Sequence, residues 1–485
     1  MISKKFIKSS LTYTLAGALP MASAIILLPF YIVYLPPESY GALSMCLAFS
    51  IFVQIVVTYS FDTSLYLHYH ELKGRPEALR SFISASFVFM LGWGLLVSLF
   101  LCIGGQLIFS YFIPKKTLSF FPYGLISVGV GMFQAIIKVH GNLLQTREKP
   151  EPFLWSNVGY FILIAATTII GLKVFPNSLI GPLGGRLVAG LVVSIWVYSR
   201  VFGEFGIHLK TPWENTSARF NAFTFMYQLQ QWAINYFDRF LLGIFLPLAQ
   251  VGIYDFAVKC LAGIDLLLNG LNATITPKVI QLINKQEVKG TSPELNRYYY
   301  GQLSVMMVLI VVCILLLPIA IVLLITFFGK KSAYAQAIPY LPYLAVLYIF
   351  KSMRLYFVIP YNVLKKMDRL TLISIGVSLT KIVLLVVMIK RWEISGVIGA
   401  AFIVAVLEIF LLRMLLAKDY QYSYNGFKLI GAPLLLMSVI IVFESVVLQQ
   451  YALYVHIFYN VLCFGLLYYA YRNELMLLKS TKFIK

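Results

Sequence analysis

Runs of about 20 mostly apolar residues, the length a helix needs to cross the hydrocarbon core of a bilayer, recur from one end of this chain to the other. The segments between them are short and rich in Lys, Arg, Pro and Gly. In lipid every backbone N–H and C=O must be bonded within the spanning structure, which helices do by themselves. The chain therefore reads as an all-α polytopic membrane protein. With 60% hydrophobic residues, 12% charged residues and a mean hydropathy of +0.84, no long polar segment remains to fold as a soluble domain.

The pattern predicts fourteen spans, near 9–34, 41–66, 80–112, 122–143, 153–174, 180–200, 220–246, 250–277, 298–328, 336–362, 370–389, 395–416, 428–448 and 453–471. Charge orients them. Segments on the side of the N-terminus hold 25 Lys plus Arg and the opposite loops 8, in pairs such as Lys115, Lys116 and Lys330, Lys331. The positive-inside rule then predicts both termini in the cytoplasm, with the basic N-terminus leading into a retained first helix. This topology, with attraction to anionic membrane lipids, accounts for the formal charge of +20 without a nucleic-acid partner. The remaining 6 basic residues, Lys138, Arg239, Lys259, Lys351, Arg354 and Lys381, lie within the spans.

An internal repeat is expected. Leu35-Pro-Pro-Glu-Ser-Tyr-Gly41 matches Leu246-Pro-Leu-Ala-Gln-Val-Gly252, and Gly181-x-x-Gly184 matches Gly396-x-x-Gly399, within a series of collinear echoes offset by 211 to 220 residues. A duplicated unit of six helices follows: an N-terminal lobe over 1–205, a C-terminal lobe over 211–418, and two additional helices over 428–471. Six is even, so the lobes share an orientation as parallel repeats, and a binding site is expected where such repeats face each other.

Helical periodicity selects the residues that would line such a site. Asn221, Thr224, Gln228, Gln231, Asn235, Asp238 and Arg239 share about a third of the seventh span's circumference. The second span carries Ser50, Gln54, Thr58 and Asp62, the fourth Gln134, Lys138, Asn142 and Gln145, and the eighth Asp255, Lys259 and Asp265. Single Asn, Gln or Ser residues serve as glue between helices, and Asp238 with Arg239 or Asp255 with Lys259 can neutralise each other. Lys351, Arg354 and Lys381 have no acid near them in sequence. A buried charge costs on the order of 3 kcal/mol at a helix centre and marks a cavity or pathway. Six bases against the four acids Asp62, Asp238, Asp255 and Asp265 suit an anion, and phosphate is the natural candidate.

Catalytic and cofactor motifs are not evident. Gly329-Lys330-Lys331-Ser332 lacks phosphate-loop spacing, and His68-x-His70 does not share a helix face for a metal. The five cysteines show no paired spacing. The reading is of a non-enzyme without a metal or cofactor. Membrane potential, H+ or Na+ is left as its energy source, and Asp62, Gln228, Gln231, Asn235, Asp238, Asp255 and Asp265 as polar or ion-coupling residues.

Several stretches carry a resemblance: LPPESYG after the first span, SFDTSLYLHYHE closing the second, LLQTREKPEPF after the fourth, FDRFLLGIFLPLAQVGIYDFAVK across the seventh and eighth, and FFGKKSAYAQAIPYLPYLAVLYIFKSM at the ninth-to-tenth junction. Together they resemble the bacterial polysaccharide flippases, the O-antigen and capsule translocases of the multidrug/oligosaccharidyl-lipid/polysaccharide exporter superfamily. The resemblance implies two six-helix lobes around a central cavity and alternating access. It implies as cargo an undecaprenyl-diphosphate-linked oligosaccharide moved to the periplasmic leaflet of the inner membrane. A monomeric transporter is expected, with polysaccharide polymerase and chain-length proteins as partners. A lipid II flippase, a cation-coupled multidrug antiporter and a membrane glycosyltransferase or polymerase are the alternatives.

Overall fold

The computed structural model describes residues 17, 19, 23, 25–112, 118–209, 218–284, 290–328, 332–364, 366–446 and 452–479. Half of the expected first span, and the Lys115–Lys116 and Lys330–Lys331 pairs, lie outside these residues. The described residues are helical almost throughout, with one isolated bridge between Gly290 and Gln421 as their extended pairing. Contacts group the chain into two compact units, 1–255 and 256–485, divided within a helix.

The first unit holds α1 (Ile25–Tyr34), α2 (Pro37–Thr58), α3 (Phe61–Leu72), α4 (Pro76–Phe112), α5 (Leu125–Thr146), α6 (Pro150–Val174), α7 (Ile180–Phe205), α8 (Ala218–Phe245) and most of α9 (Leu248–Cys260). Proline opens α2, α4 and α6, where its missing N–H costs no helical bond. Polar hooks tie α8 to this unit. Trp232 donates from Nε1 to the Ala48 carbonyl at 2.8 Å, and Asn221 from Nδ2 to the Tyr59 carbonyl at 3.3 Å.

The second expected span is not one helix. Tyr59 and Ser60 both adopt left-handed backbone, φ 42° and 61°, and separate α2 from α3. Asp62 therefore does not continue the i+4 stripe of Ser50, Gln54 and Thr58; it opens a new helix beside the fully buried Phe61. The eighth span is interrupted likewise at Leu261, which separates Asp255 on α9 from Asp265 on the next helix.

Two turns that matched in sequence meet in space. A Cβ on Gly41 would stand 2.1 Å from the Leu248 carbonyl oxygen, and a Cβ on Gly252 2.0 Å from that of Pro37. Only glycine lets the helix starts cross so closely.

The second unit comprises α10 (Ala262–Asn284), α11 (Pro293–Phe328), α12 (Leu341–Val363), α13 (Met367–Leu416), α14 (Ala432–Val446) and α15 (Ala452–Lys479). At 1.5 Å per residue the 50 residues of α13 would extend about 75 Å, far beyond a bilayer core. The chain instead reverses at Glu393, φ 50° and ψ −129°. Gly396 lies against the Met388 carbonyl, as Gly181 lies against Gly171 between α6 and α7. The eleventh and twelfth expected spans are the two arms of this hairpin.

Nine helical stretches among the described residues are long and apolar enough to cross a membrane, the α13 hairpin counted once. The first, seventh, eighth and fourteenth expected spans appear as α1, α8, α9 with α10, and α15, and fall short of that mark.

Candidate anion-binding site

The turn at Leu246-Pro247 folds α9 back toward α8 and brings Asp255 to Arg239, sixteen residues away. Arg239 donates from Nε to Asp255 Oδ1 at 2.7 Å, and from Nη1 to Asp238 Oδ1 at 3.0 Å and the Asn235 carbonyl at 2.8 Å. Tyr254 donates its hydroxyl to Asp238 Oδ2 at 2.7 Å. Arg239 is 4% exposed. Two carboxylates flank this guanidinium and hold it in a buried ion-pair network. Burial without those partners would cost several kcal/mol. Neighbouring Asn235 is exposed and donates to the Gln231 carbonyl at 2.8 Å, while Gln231 is half-buried.

Lys138 on α5 has a different setting. Its Nζ lies 2.8 Å from Asp62 Oδ2 on α3, and Gln228 Nε2 on α8 donates to Asp62 Oδ1 at 3.1 Å. The aspartate is buried; the lysine side chain is 35% exposed. In the second unit Lys351 on α12 meets Asp265 Oδ1 on α10 at 3.0 Å, and Tyr348 donates its hydroxyl to Asp265 Oδ2 at 2.6 Å. Lys351 is 49% exposed and also sits over the Tyr348 ring at 4.3 Å. Each aspartate follows a break in its helix, and each lysine lies on the helix expected as fourth in its repeat.

The absence of an acid near Lys351 and Arg354 in sequence does not hold in space. Arg354 donates from Nε to Glu408 Oε1 at 2.6 Å, on the second arm of the α13 hairpin. Sequence reasoning missed Glu408, although a lone carboxylate inside the apolar run VAVLEIFLL was the available signal. Lys259 on α9 and Lys381 on the first arm of α13 are half-buried. Sequence reasoning also missed Arg186, which the charge count groups with the outer-loop cations; it stands six residues inside α7.

A second ion-pair motif recurs at the helix ends expected to face the cytoplasm. Arg147 makes a two-pronged pair with Glu204, with Lys149 at 3.9 Å from the same carboxylate. Arg369 reaches Asp419 at 2.6 Å, with Lys366 at 3.9 Å. Each clasp joins the segment after the fourth span of a repeat to the end of the sixth.

The family model for polysaccharide biosynthesis proteins matches residues 6–281, more than half of the chain. The chain belongs to that family. None of the curated proteins matches it in sequence. Solved structures show the fold. A lipid II flippase MurJ in an inward closed conformation is 16% identical, covers 96% of this chain and 99% of its own, and superposes with a TM-score of 0.69. An inward-facing multidrug resistance MATE family transporter is 12% identical, over 84% of this chain and 98% of its own, with a TM-score of 0.60. A transporter of the same superfamily from Pyrococcus furiosus is 10% identical, over 85% and 96%, with a TM-score of 0.54. This family member is thus a multi-pass membrane protein with the helical architecture of those transporters.

Within that architecture the cations divide by chemistry. Arg239 is enclosed and compensated twice; Lys138, Lys351 and Arg354 each pair with one carboxylate among the described residues and keep part of the side chain exposed. An anion entering beside them can replace the carboxylate or share the cation with it, without unmaking a buried network.

Proposed function

We propose that this protein is the flippase for an undecaprenyl-diphosphate-linked oligosaccharide, carrying it from the cytoplasmic to the periplasmic leaflet of a bacterial inner membrane by alternating access. The observation that carries the reading is the set of half-exposed, membrane-embedded cations Lys138, Lys351 and Arg354, whose side chains are 35%, 49% and 39% exposed. Membership of a polysaccharide biosynthesis family supports a glycan as cargo. A diphosphate offers any one of these cations several acceptor oxygens, polar residues such as Gln228, Gln231 and Asn235 offer hydrogen bonds to sugar hydroxyls, and the polyprenyl tail stays in lipid. No covalent step is needed, so the chain works as a transporter and not as an enzyme.

Both termini lie in the cytoplasm on this reading. Each negative charge moved outward across an inside-negative membrane releases about 2.3 kcal/mol per 100 mV, so the membrane potential assists export without ATP. Polysaccharide polymerase and chain-length proteins then act on the exported unit.

The test is the triple variant Lys138→Gln, Lys351→Gln, Arg354→Gln, reconstituted in vesicles with a fluorescent polyprenyl-diphosphate oligosaccharide. Loss of flipping with retained folding is expected. Unchanged flipping would remove these residues from the site, and rescue of cells depleted of their lipid II flippase would assign lipid II as cargo instead.

A further inference from the structure

Each lysine assigned to the diphosphate shares its aspartate with a neutral donor from the protein. In the first unit Gln228 Nε2 on α8 donates to both oxygens of Asp62, at 3.1 and 3.4 Å, while Lys138 Nζ holds Oδ2 at 2.8 Å. In the second unit the buried Tyr348 hydroxyl donates to Asp265 Oδ2 at 2.6 Å, while Lys351 Nζ holds Oδ1 at 3.0 Å. One donor is an amide and the other a phenol, and they stand on helices expected as first and fourth in the repeat. What the two share is therefore the arrangement around the acid and not a residue type.

Arg354 is paired differently. Among the described residues Glu408 accepts from Arg354 alone, through Nε at 2.6 Å. The contrast follows from the two kinds of cation. A guanidinium spreads its N–H donors over a fork, so it can keep a carboxylate on Nε and offer its Nη groups to a phosphate. An ammonium concentrates its charge on one atom, and an aspartate and a phosphate compete for it. When the phosphate takes the lysine, the aspartate is left behind. The Asp62 side chain is 6% exposed, and a carboxylate stranded there without a hydrogen bond carries a penalty that subtracts from affinity. A neutral donor that stays with the acid reduces that penalty.

We infer that Gln228 and Tyr348 are positioning residues: they hold Asp62 and Asp265 while the diphosphate draws Lys138 and Lys351 away, and so raise affinity for a diphosphate that neither of them touches. The assignment rests on the diphosphate reading of the two lysines. The amide of Gln228 fits the role, because its Nε2 faces Asp62 while its Oε1 is buried without a donor. The opposite orientation would set that oxygen against the carboxylate, so the bond to Asp62 is kept at the cost of an orphan acceptor.

The test is a double-mutant cycle, read by isothermal titration of the full-length protein in detergent with a short polyprenyl diphosphate that carries no sugar. Asp265→Asn should tighten binding, because Lys351 loses its competitor. Tyr348→Phe should weaken binding about tenfold, the scale of one hydrogen bond to a charged group. In the Asp265→Asn background Tyr348→Phe should change affinity by less than about twofold, since no carboxylate remains to be held. Gln228→Met should behave in the same way toward Asp62→Asn, and the cycle in the second unit carries the test if Asp62→Asn does not fold. Equal weakening by Tyr348→Phe in both backgrounds would overturn the assignment and place the hydroxyl on the ligand or in the fold. Unchanged affinity in both backgrounds would overturn it as well. Absence of binding by the unaltered protein would instead overturn the diphosphate reading, and this assignment with it.

Discussion

Arg239 in the first unit and Lys351 in the second are both cations within the helical bundle, and both are bonded to aspartate, yet they belong to different kinds of structure. Arg239 is 4% exposed and shared by Asp238 and Asp255, whereas the Lys351 side chain is 49% exposed and, among the described acids, pairs with Asp265 alone. The first pair lies within a few residues of a helical hairpin and holds that hairpin closed. The second spans 86 residues and leaves its cation half in solvent. A cation held by two buried acids, which serves architecture, thus stands apart from one held by a single acid, where the proposed ligand site lies.

Substitutions should separate the two kinds, and the largest effect on stability belongs to the enclosed network. Arg239→Gln strands two buried carboxylates and should cost about 3–5 kcal/mol, seen as loss of monodisperse protein on size exclusion in detergent. A survivor of normal stability would place water beside Asp238 and Asp255 and erase the contrast. Next comes the close crossing at the paired glycines: Gly252→Ala sets a methyl against the Pro37 carbonyl and should lower stability by about 1–3 kcal/mol, read as a fall in the unfolding midpoint.

Lys351→Gln should change stability by less than about 1 kcal/mol, because a pair this exposed contributes little, whereas Lys138→Gln leaves the buried Asp62 with Gln228 alone and should cost about 1–3 kcal/mol. Each should nevertheless weaken binding of a short polyprenyl diphosphate, measured by isothermal titration. Equal affinity in either variant would show that half-exposure alone does not select a ligand site. The smallest effect is expected at the clasps. Arg369→Gln should shift the midpoint by a few tenths of a kcal/mol, and that shift should vanish at 1 M salt, where the screening length is about 3 Å.

Much of this was legible in the sequence, for physical reasons that also explain what was not. The sixth span was expected at 180–200 and α7 runs Ile180–Phe205, because hydrophobic length is a one-dimensional property. Glycines at matched positions announced close crossings. The breaks at Tyr59–Ser60 and Leu261 were not visible, since neither carries proline or glycine and each arises where buried packing overrides helical continuity. The partners of Lys351 and Arg354 were hidden too, because Asp265 and Glu408 reach them from other helices. Arg186 escaped notice because position near a span end says nothing about which way a side chain turns.

The crossing at Gly41 and Gly252 has the form of an isologous contact: the first turn's glycine meets the second turn's opening carbonyl at Leu248, and the second turn's glycine meets the first turn's at Pro37. Within one polypeptide two turns that share their Leu, Pro and Gly thus act as each other's partner. A change to either copy therefore alters a surface that was matched to its twin, and the two can drift only together. Repair of a damaging substitution at Gly41 should be found at Leu248 or Gly252 before anywhere else.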